Sequence, residues 1–321
     1  MNCEHRFSPV QNPLNAQDYI TGDIFSIHRC VRCGLFLTHP APPLENIDRY
    51  YPKNYYGDTS NRRFPWWVEF LQGQLYVSRV RKLETYSPVK GTVIDIGCGK
   101  GFLLNAFQKK GWKVQGIELS ETAARHARVK FGINVHIGSV SNPTFDRESF
   151  DAAILWHVLE HTDQPGQMLM DLWPLLKPNG MLLLGVPNWG CPEARLSKSR
   201  WFHLDVPRHL AHFTEASLTQ LLKNSGFEVV RRFRFAPEFD LFSFVQTSLN
   251  RLGLPQNHLY RMLRGHGAKL KHLDDRHWHV IASFLLAIPL ALIGLLWIPL
   301  AGLFGWGSSL TYLVKKTASL R

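Results

Sequence analysis

Cysteine is scarce and odd in number. The five residues Cys3, Cys30, Cys33, Cys98 and Cys191 cannot all pair, and three of them crowd the first 33 positions. A secreted disulfide framework would be even and spread out, so that class is excluded. The first 30 residues hold no apolar run, and Pro9 and Pro13 interrupt what little there is. No secretory leader is read there, and the expected compartment is reducing and cytoplasmic. Internal repeats and low-complexity tracts are absent, which removes solenoids and collagen-like chains. A mean hydropathy of −0.14 excludes a polytopic membrane protein. Acidic residues are in deficit, 25 against 37 basic ones, for a net charge of +12. That surplus suits nucleic acid, anionic lipid or a phosphorylated substrate and does not choose among them. One stretch lacks charge altogether: residues 280–314 contain no Asp, Glu, Lys or Arg.

What remains is ordinary globular material, 45% hydrophobic in 321 residues, enough for one large core with appendages. Residues 1–40 bear Cys and His and read as irregular. Residues 41–90 are aromatic, with the tyrosines Tyr50, Tyr51, Tyr55 and Tyr56 and a helix expected over 62–86 that carries Trp66, Trp67, Phe70 and Tyr76. The tyrosines serve either as a lid over a ligand or as packing for this segment. Residues 91–235 alternate short apolar runs with amphipathic stretches. Strands are expected at 92–96, 113–119, 134–138, 150–156, 181–186 and 227–235, with helices between them stopped by Gly111, Gly132 and Gly226. This alternation builds βαβ units, a parallel sheet with helices on both faces, and a ligand site beyond the carboxyl ends of the strands.

The sharpest local signal is Asp95-Ile96-Gly97-Cys98-Gly99-Lys100-Gly101, at the end of the first of these strands and the start of a helix. Gly97, Gly99 and Gly101 let a ligand approach the backbone, and the helix start offers unpaired N–H groups. Glu118 closes the next strand, where a carboxylate can accept from both hydroxyls of a ribose. The glycine spacing differs from the one that cradles a pyrophosphate. Asp95 would repel phosphate and favour an ammonium-bearing ligand.

On these residues the chain resembles the class I S-adenosylmethionine-dependent methyltransferases over 91–190 and again over 200–235. The resemblance implies that Asp95, Gly97, Gly99 and Gly101 contact the methionine side of S-adenosylmethionine. It implies Glu118 as the ribose acid and Leu119 beside the adenine. Where the family often has an acid for the adenine amino group, this chain has Gly138-Ser139-Val140, which leaves Ser139 or a backbone group for that contact.

After the fourth strand comes Trp156-His157-Val158-Leu159-Glu160-His161. On a helical turn His157, Glu160 and His161 share a face. Such a trio is a divalent-metal site, a general base with its orienting acid, a substrate clamp, or a hydrogen-bonded lining that holds the loops. His203, His209 and His212 follow the fifth strand and face the same sheet edge, so the two clusters are expected to converge, with His209 as an alternative base. This segment resembles the branch that includes ubiquinone-biosynthesis O-methyltransferases and small-RNA 2′-O-methyltransferases, which carry Glu-x-x-Glu-His and use a divalent metal. Here the first of those positions is His157.

Cys30-Val31-Arg32-Cys33-Gly34 reads as half of a zinc knuckle. Cys3 and His5 would supply the other half, although Arg6 stands where a regular spacing would put the last ligand. The segment is similar to small Cys-rich modules ahead of some methyltransferases, including sugar-modifying ones. A structural zinc at Cys3, His5, Cys30 and Cys33 or a ribbon without metal are both open.

The uncharged tail is long enough for one membrane span. A class I sheet, however, needs a seventh, antiparallel strand beside the sixth, and 309–316 is the candidate left for it. A single crossing would carry that strand to the far side of the bilayer. The expectation is therefore a hairpin of two apolar helices, broken near Pro289, Gly294 or Pro299 and anchored by Trp278, Trp297 and Trp306. Upstream, 231–279 holds nine Lys/Arg against four Asp/Glu, which fits an anionic leaflet. A buried helical dimer interface and a true single span are the other two readings.

The expected fold is α/β: a Rossmann-like seven-stranded class I methyltransferase sheet, a small Cys-containing N-terminal segment, and an apolar helical hairpin inserted between the sixth and seventh strands. The expected division is 1–40 as a zinc-binding segment, 41–90 as aromatic linker and lead-in helix, and 91–239 as the donor-binding core. Residues 240–307 form a membrane-associating insertion, and 308–321 the last strand and tail. The expected activity is O-methylation of a membrane-proximal lipid-linked, polyprenyl or glycan precursor, on the cytoplasmic side of a membrane. RNA 2′-O-methylation is the second reading, weakened because lipid explains the cations near the tail and no RNA-binding module is visible. A non-catalytic donor-binding scaffold is the third, opposed by the intact glycines and both acids.

Overall fold

The computed structural model describes residues 13–51, 66–87, 89–141, 145–234, 236–263 and 277–318. Three short strands come first, β1 (Leu14–Gln17), β2 (Ile24–Arg29) and β3 (Phe36–His39), then helix α1 (Trp66–Glu84). The central alternation follows: β4 (Thr92–Ile96), α2 (Phe102–Lys109), β5 (Lys113–Glu118), α3 (Glu121–Phe131), β6 (Asn134–Ile137), β7 (Phe150–Trp156), α4 (Pro165–Leu172) and β8 (Leu176–Pro187). The carboxyl half comprises α5 (Pro192–Ser197), β9 (Ala211–His212), α6 (Glu215–Asn224), β10 (Phe227–Phe233), α7 (Pro237–Arg251), α8 (His258–Leu263), α9 (His277–Phe304) and β11 (Ser309–Lys316).

The large sheet has the order β10-β11-β8-β7-β4-β5-β6. Its strands β8 to β6 run parallel, and β11 is antiparallel to both β8 and β10. Helices cover both faces, so the central strands carry apolar runs: Val93, Ile94, Ala152, Ala153, Ile154, Leu155, and 182–184 are fully buried. Chain order reverses at β4, which lies between β5 and β7. The crevice beyond its carboxyl end is the switch point where such sheets bind ligands. Local chemistry sets the helix limits. Ser120 caps α3 by accepting from Ala123 N, Gly132 ends it at φ +65°, and Thr214 with Ser217 forms a capping box on α6. The seven-stranded α/β expectation holds, including the antiparallel seventh strand beside the sixth.

Two features differ from expectation. Residues 14–39 are not irregular: β1, β2 and β3 form an antiparallel sheet whose fourth strand is β9, two residues from the loop after β8. Alternating side chains explain it, since Ala16, Phe25, Ile27 and Leu37 turn inward in this sheet.

The second difference is that no apolar hairpin occurs among the described residues. Residues 277–304 form one continuous helix, α9, with Pro289 and Pro299 inside it. A proline removes one backbone bond and kinks a helix. Packing along α7 favours one continuous helix over a break at either proline. One stripe of α9 faces α7, where Gly294 leaves room for Leu241 and Phe244; a Cβ there would fall 2.8 Å from Leu241. Leu241, Ala287, Leu290 and Ala291 pack around the buried Val245 and Leu249. Most of the remaining surface of α9 is exposed.

Candidate active site

The glycine turn after β4 is shaped by its neighbours. Gly97, Gly99 and Gly101 have φ of +71°, +54° and +79°. A Cβ at 97 would meet Val158 Cγ2 at 2.6 Å, and one at 101 would meet Ala127 Cβ at 2.7 Å. A Cβ added at Gly99 would meet no atom within 4 Å, so this face of the turn borders open space. Asp95 is buried at the strand end. Burial first, and then the nearby Glu118 carboxylate, push its carboxyl well above the usual range, while Arg79 opposes the shift. Glu118 accepts from Gly99 N and from Ser120 N, both at 2.8 Å. Leu119 is 74% exposed and presents an apolar face beside it. Ser139 is exposed, after Gly138, and its Oγ accepts from Ser141 N at 3.3 Å. Open space bordered by backbone and by the buried acids Asp95 and Glu118 fits a positively charged, ribose-bearing donor such as S-adenosylmethionine.

The second part of the site begins at the end of β7. His157 has φ +55°, a left-handed conformation that non-glycine residues adopt at a cost. Its Nδ1 donates to Glu160 Oε1 at 2.9 Å. Its Nε2 is buried and has no hydrogen-bond partner among the described residues. Val158 packs against Gly97, so the His157 turn and the donor loop touch. Glu160 sits in a single 3₁₀ turn and is fully buried. Burial alone would raise its carboxyl, but the His157 hydrogen bond and the nearby imidazoles of His157, His161 and His209 bring it down to about 2. It is ionised at neutral pH.

The two histidine clusters do converge. His161 Nδ1 donates to Arg208 O, and His209 Nδ1 donates to His203 O, both at 2.8 Å. A carbonyl can only accept, so each ring carries its proton on Nδ1 and a lone pair on Nε2 when neutral. The two rings meet edge to face at 4.9 Å. Burial, then His161, lowers His209 to about 4; burial, then His157, lowers His203 to about 3; burial, then His209, lowers His212 to about 3. One ligand atom from each of Glu160, His161 and His209 lies within 4.8 Å of the others. The gathered set therefore differs from the expected trio of His157, Glu160 and His161: His209 joins it, and His157 binds the carboxylate instead. Glu160 Oε2 has no partner among the described residues. Two imidazole Nε2 atoms with this carboxylate oxygen fit a divalent cation, and carbonyl-held Nδ1–H groups are the usual second contact of such ligands.

Other residues of the site were not singled out from the sequence. Phe239, near the start of α7, lies 4.2 Å from the His157 ring, and the Arg79 guanidinium stands 4.3 Å over the Trp156 ring. Both come from helices distant in sequence, and only tertiary packing reveals them. Trp156 Nε1 and His203 Nε2 are also buried without partners among the described residues. Cys30 and Cys33 lie on the turn joining β2 to β3, closed by Gly34 N donating to Cys30 O at 2.9 Å. Cys3, His5, Tyr55 and Tyr56 lie outside the described residues. No cysteine cluster able to hold a metal occurs among the described ones.

A family model described as a methyltransferase domain matches residues 67–232. The chain belongs to this family, the class I S-adenosylmethionine-dependent methyltransferases. It is similar to a protein of Mycolicibacterium smegmatis described as a probable S-adenosylmethionine-dependent methyltransferase. That match is 27% identical over 138 residues, covering 43% of this chain and 52% of the other. A ubiquinone biosynthesis O-methyltransferase of Coxiella burnetii is 33% identical over 116 residues, covering 34% and 50%. The chain thus spans about half the length of these curated relatives. A Galdieria sulphuraria structure described as a sarcosine dimethylglycine methyltransferase superposes with a TM-score of 0.50 at 14% identity, over 76% of this methyltransferase and 86% of the other. That likeness concerns the fold alone.

Proposed function

We propose that this methyltransferase transfers a methyl group from S-adenosylmethionine to a hydroxyl of a lipid-linked, polyprenyl or glycan precursor at a membrane surface. The observation that carries the chemistry is the His157–Glu160 pair, which leaves one buried imidazole nitrogen unpartnered beside the donor loop. The acceptor oxygen attacks the sulfonium-bound methyl of S-adenosylmethionine in line, so that an O–C bond forms as the C–S bond breaks and a neutral thioether leaves. Asp95 and Glu118 hold the donor through its ammonium and ribose, with the Gly97–Gly101 backbone in close contact, Leu119 against the base and Ser139 near its amino group. His157 Nε2 takes the hydroxyl proton, and Glu160 holds the ring and stabilises the imidazolium that forms. Phe239 and Trp156 exclude water and orient the acceptor, from which most of the acceleration of such a displacement comes.

Glu160, His161 and His209 support a divalent metal in the same site, which when bound would lower the pKa of an acceptor hydroxyl. The Cys30–Cys33 turn supports a structural zinc completed by Cys3 and His5. Metal analysis of purified protein after mild chelation tests both.

Membrane contact rests on α9. The most apolar stretch of Trp278–Phe304 has a mean hydropathy of 2.5, and only 17% of that stretch is buried. Exposed Ile281, Leu285, Ile288, Leu292 and Leu296 line its outer side, with exposed Trp278 and Trp306 near the two ends. A helix of 28 residues is ~42 Å long, more than the ~30 Å hydrocarbon core. Its inner side is bound to α7, whose Asp240, Ser243, Gln246, Thr247 and Asn250 are buried. Crossing the bilayer would drag these polar groups in. An orientation along the leaflet, on the cytoplasmic side, keeps them in protein.

The deciding experiment supplies S-adenosylmethionine carrying a labelled methyl to the protein with a membrane fraction, and separates lipid, soluble and RNA pools. Label in the lipid or glycolipid pool, lost in Glu118→Ala, is the expected result. Label in RNA instead overturns the acceptor assignment in favour of 2′-O-methylation.

A further inference from the structure

The loop 203–212 carries much of the site yet has almost no regular structure of its own. Loops of this kind are usually mobile. Here it is buried: Leu204, Val206, Arg208, His209 and His212 are all 8% exposed or less. What immobilises it comes from the amino-terminal sheet. The Arg208 guanidinium donates through Nη2 to Asp18 Oδ1 at 2.8 Å, through Nη1 to Tyr50 O at 3.0 Å and through Nε to Asp205 Oδ1 at 2.9 Å. It also lies 4.5 Å over the Tyr19 ring. The side chains of Asp18 and Arg208 are both 0% exposed. Asp18 uses its other oxygen, Oδ2, to accept from Thr21 N and Thr21 Oγ1 at 2.9 Å, which fixes the carboxylate in the turn after β1.

A second tie runs from β3. Thr38 N donates to Leu210 O at 2.9 Å, and Thr38 Oγ1 donates to His209 O at 2.7 Å. With its proton spent there, the same hydroxyl accepts from His212 Nε2 at 2.9 Å. On its far side the loop is tied to the catalytic turn, since Leu210 N donates to Glu160 O at 2.7 Å.

The loop supplies both carbonyls that fix the cluster. Arg208 O accepts from His161 Nδ1, and His203 O accepts from His209 Nδ1. The same residue, Arg208, thus grips the amino-terminal sheet with its side chain and orients His161 with its main chain. From this we infer that the amino-terminal sheet is a working part of the active site, and that Asp18 and Arg208 are positioning residues that hold His161 and His209 with their Nε2 atoms turned into the cluster. The inference rests on the proposed role of that cluster in transfer. Asp18 stands 143 positions before His161 in the chain, and its carboxylate is bonded to Arg208 and Thr21. Its contribution is the height and angle of a single carbonyl oxygen. Partners of this kind, one bond removed from the reacting groups, typically change activity 10- to 100-fold when lost.

The test uses Asp18→Ala, Asp18→Asn and Thr38→Val in the full chain with ¹⁵N-labelled histidine. In the wild type, the nitrogen shifts of His161 and His209 should each report a single Nδ1–H tautomer. In Asp18→Ala the His161 signal should move toward a mixture of tautomers. Transfer of labelled methyl to the membrane fraction at saturating donor should fall about 10- to 100-fold, while donor affinity by calorimetry stays within about twofold. Asp18→Asn keeps an acceptor oxygen at the same place and should recover part of the rate. Should Asp18→Ala not fold, the near-isosteric Thr38→Val decides, with the same tautomer and rate readouts at His209. A folded variant with unchanged tautomers and a transfer rate within twofold of wild type overturns the inference. If the wild type labels no pool at all, the proposed activity fails, and the tautomer measurement still decides whether the sheet positions the rings.

Discussion

Glu118 Oε2 accepts a hydrogen bond from Gly99 N at 2.8 Å, so the acid that closes β5 is tied to the middle of the glycine turn that follows β4. One carboxylate thereby sets the distance between the two strand ends that would flank a donor. Glu118→Ala should weaken S-adenosylmethionine binding about 10- to 150-fold, the range for losing hydrogen bonds to a charged group. Calorimetric titration measures this. An unchanged affinity in a folded variant would remove Glu118 from the donor site.

Donor binding should depend on pH through Asp95. Burial and the neighbouring Glu118 raise its carboxyl in the ligand-free protein, and the donor's positive charge would lower it again. A ligand that lowers a pKa expels a proton and binds more tightly as pH rises through the ligand-free value. Titrations in two buffers of different ionisation enthalpy should therefore give different apparent heats, with proton release. Equal heats would mean that Asp95 is already ionised before the donor arrives.

His157→Asn separates transfer from binding. Asparagine tolerates the left-handed backbone at φ +55°, so the fold should survive. The rate of label transfer should drop about 10²- to 10⁴-fold with donor affinity unchanged. Loss of donor binding would instead place His157 in the donor site.

The buried imidazoles His203, His209 and His212, held near 3, 4 and 3, should stay neutral at mildly acid pH. In the unfolded chain they protonate below about 6.5, so the stability each provides is complete above that pH and falls as pH drops toward its folded value, by about 1.4 kcal/mol per unit. Glu193 acts in the opposite direction. Burial raises its carboxyl to about 7, despite hydrogen bonds from Ser243 and Thr247, so its contribution is present in acid and lost as pH rises to 7. Imidazole resonances followed from pH 8 to 5 separate these effects. Titration of any of the three near 6.5 would show that its burial is incomplete.

A charge on the outer side of α9 should release the protein from lipid. Leu285→Glu with Leu292→Glu should abolish most co-sedimentation with vesicles containing anionic lipid, and leave S-adenosylmethionine affinity as it was. Undiminished sedimentation would assign membrane contact to another surface.

The parts of this molecule that were legible in its sequence are those encoded locally. A strand such as Thr92-Val93-Ile94-Asp95-Ile96 followed by three glycines, and an acid at the end of the next strand, carry their meaning within about 25 residues. Helix stops at Gly132 and the Thr214 cap are of the same kind. Convergence of the histidines was also readable, because both loops follow parallel strands and must emerge at one edge. Sequence patterns misled at Pro289 and Pro299, where packing on α7 keeps one helix continuous. The amino-terminal sheet escaped notice because its fourth strand is two residues long and lies 172 positions after β3. No local signal could have joined Asp18 to Arg208.

The position of β11 governs how the chain is assembled. β10 has no place in the sheet until residues 309–316 enter between it and β8. During synthesis the slot stays open, with the unpaired edge of β8 exposed, while the whole of α9 is made. Closing it requires pairing Ser309 with Pro187 across more than 120 residues, a contact that is slow to find. A leaflet that captures α9 first would bring β11 to its slot already oriented. A membrane would then act on the folding of this enzyme as well as on its location.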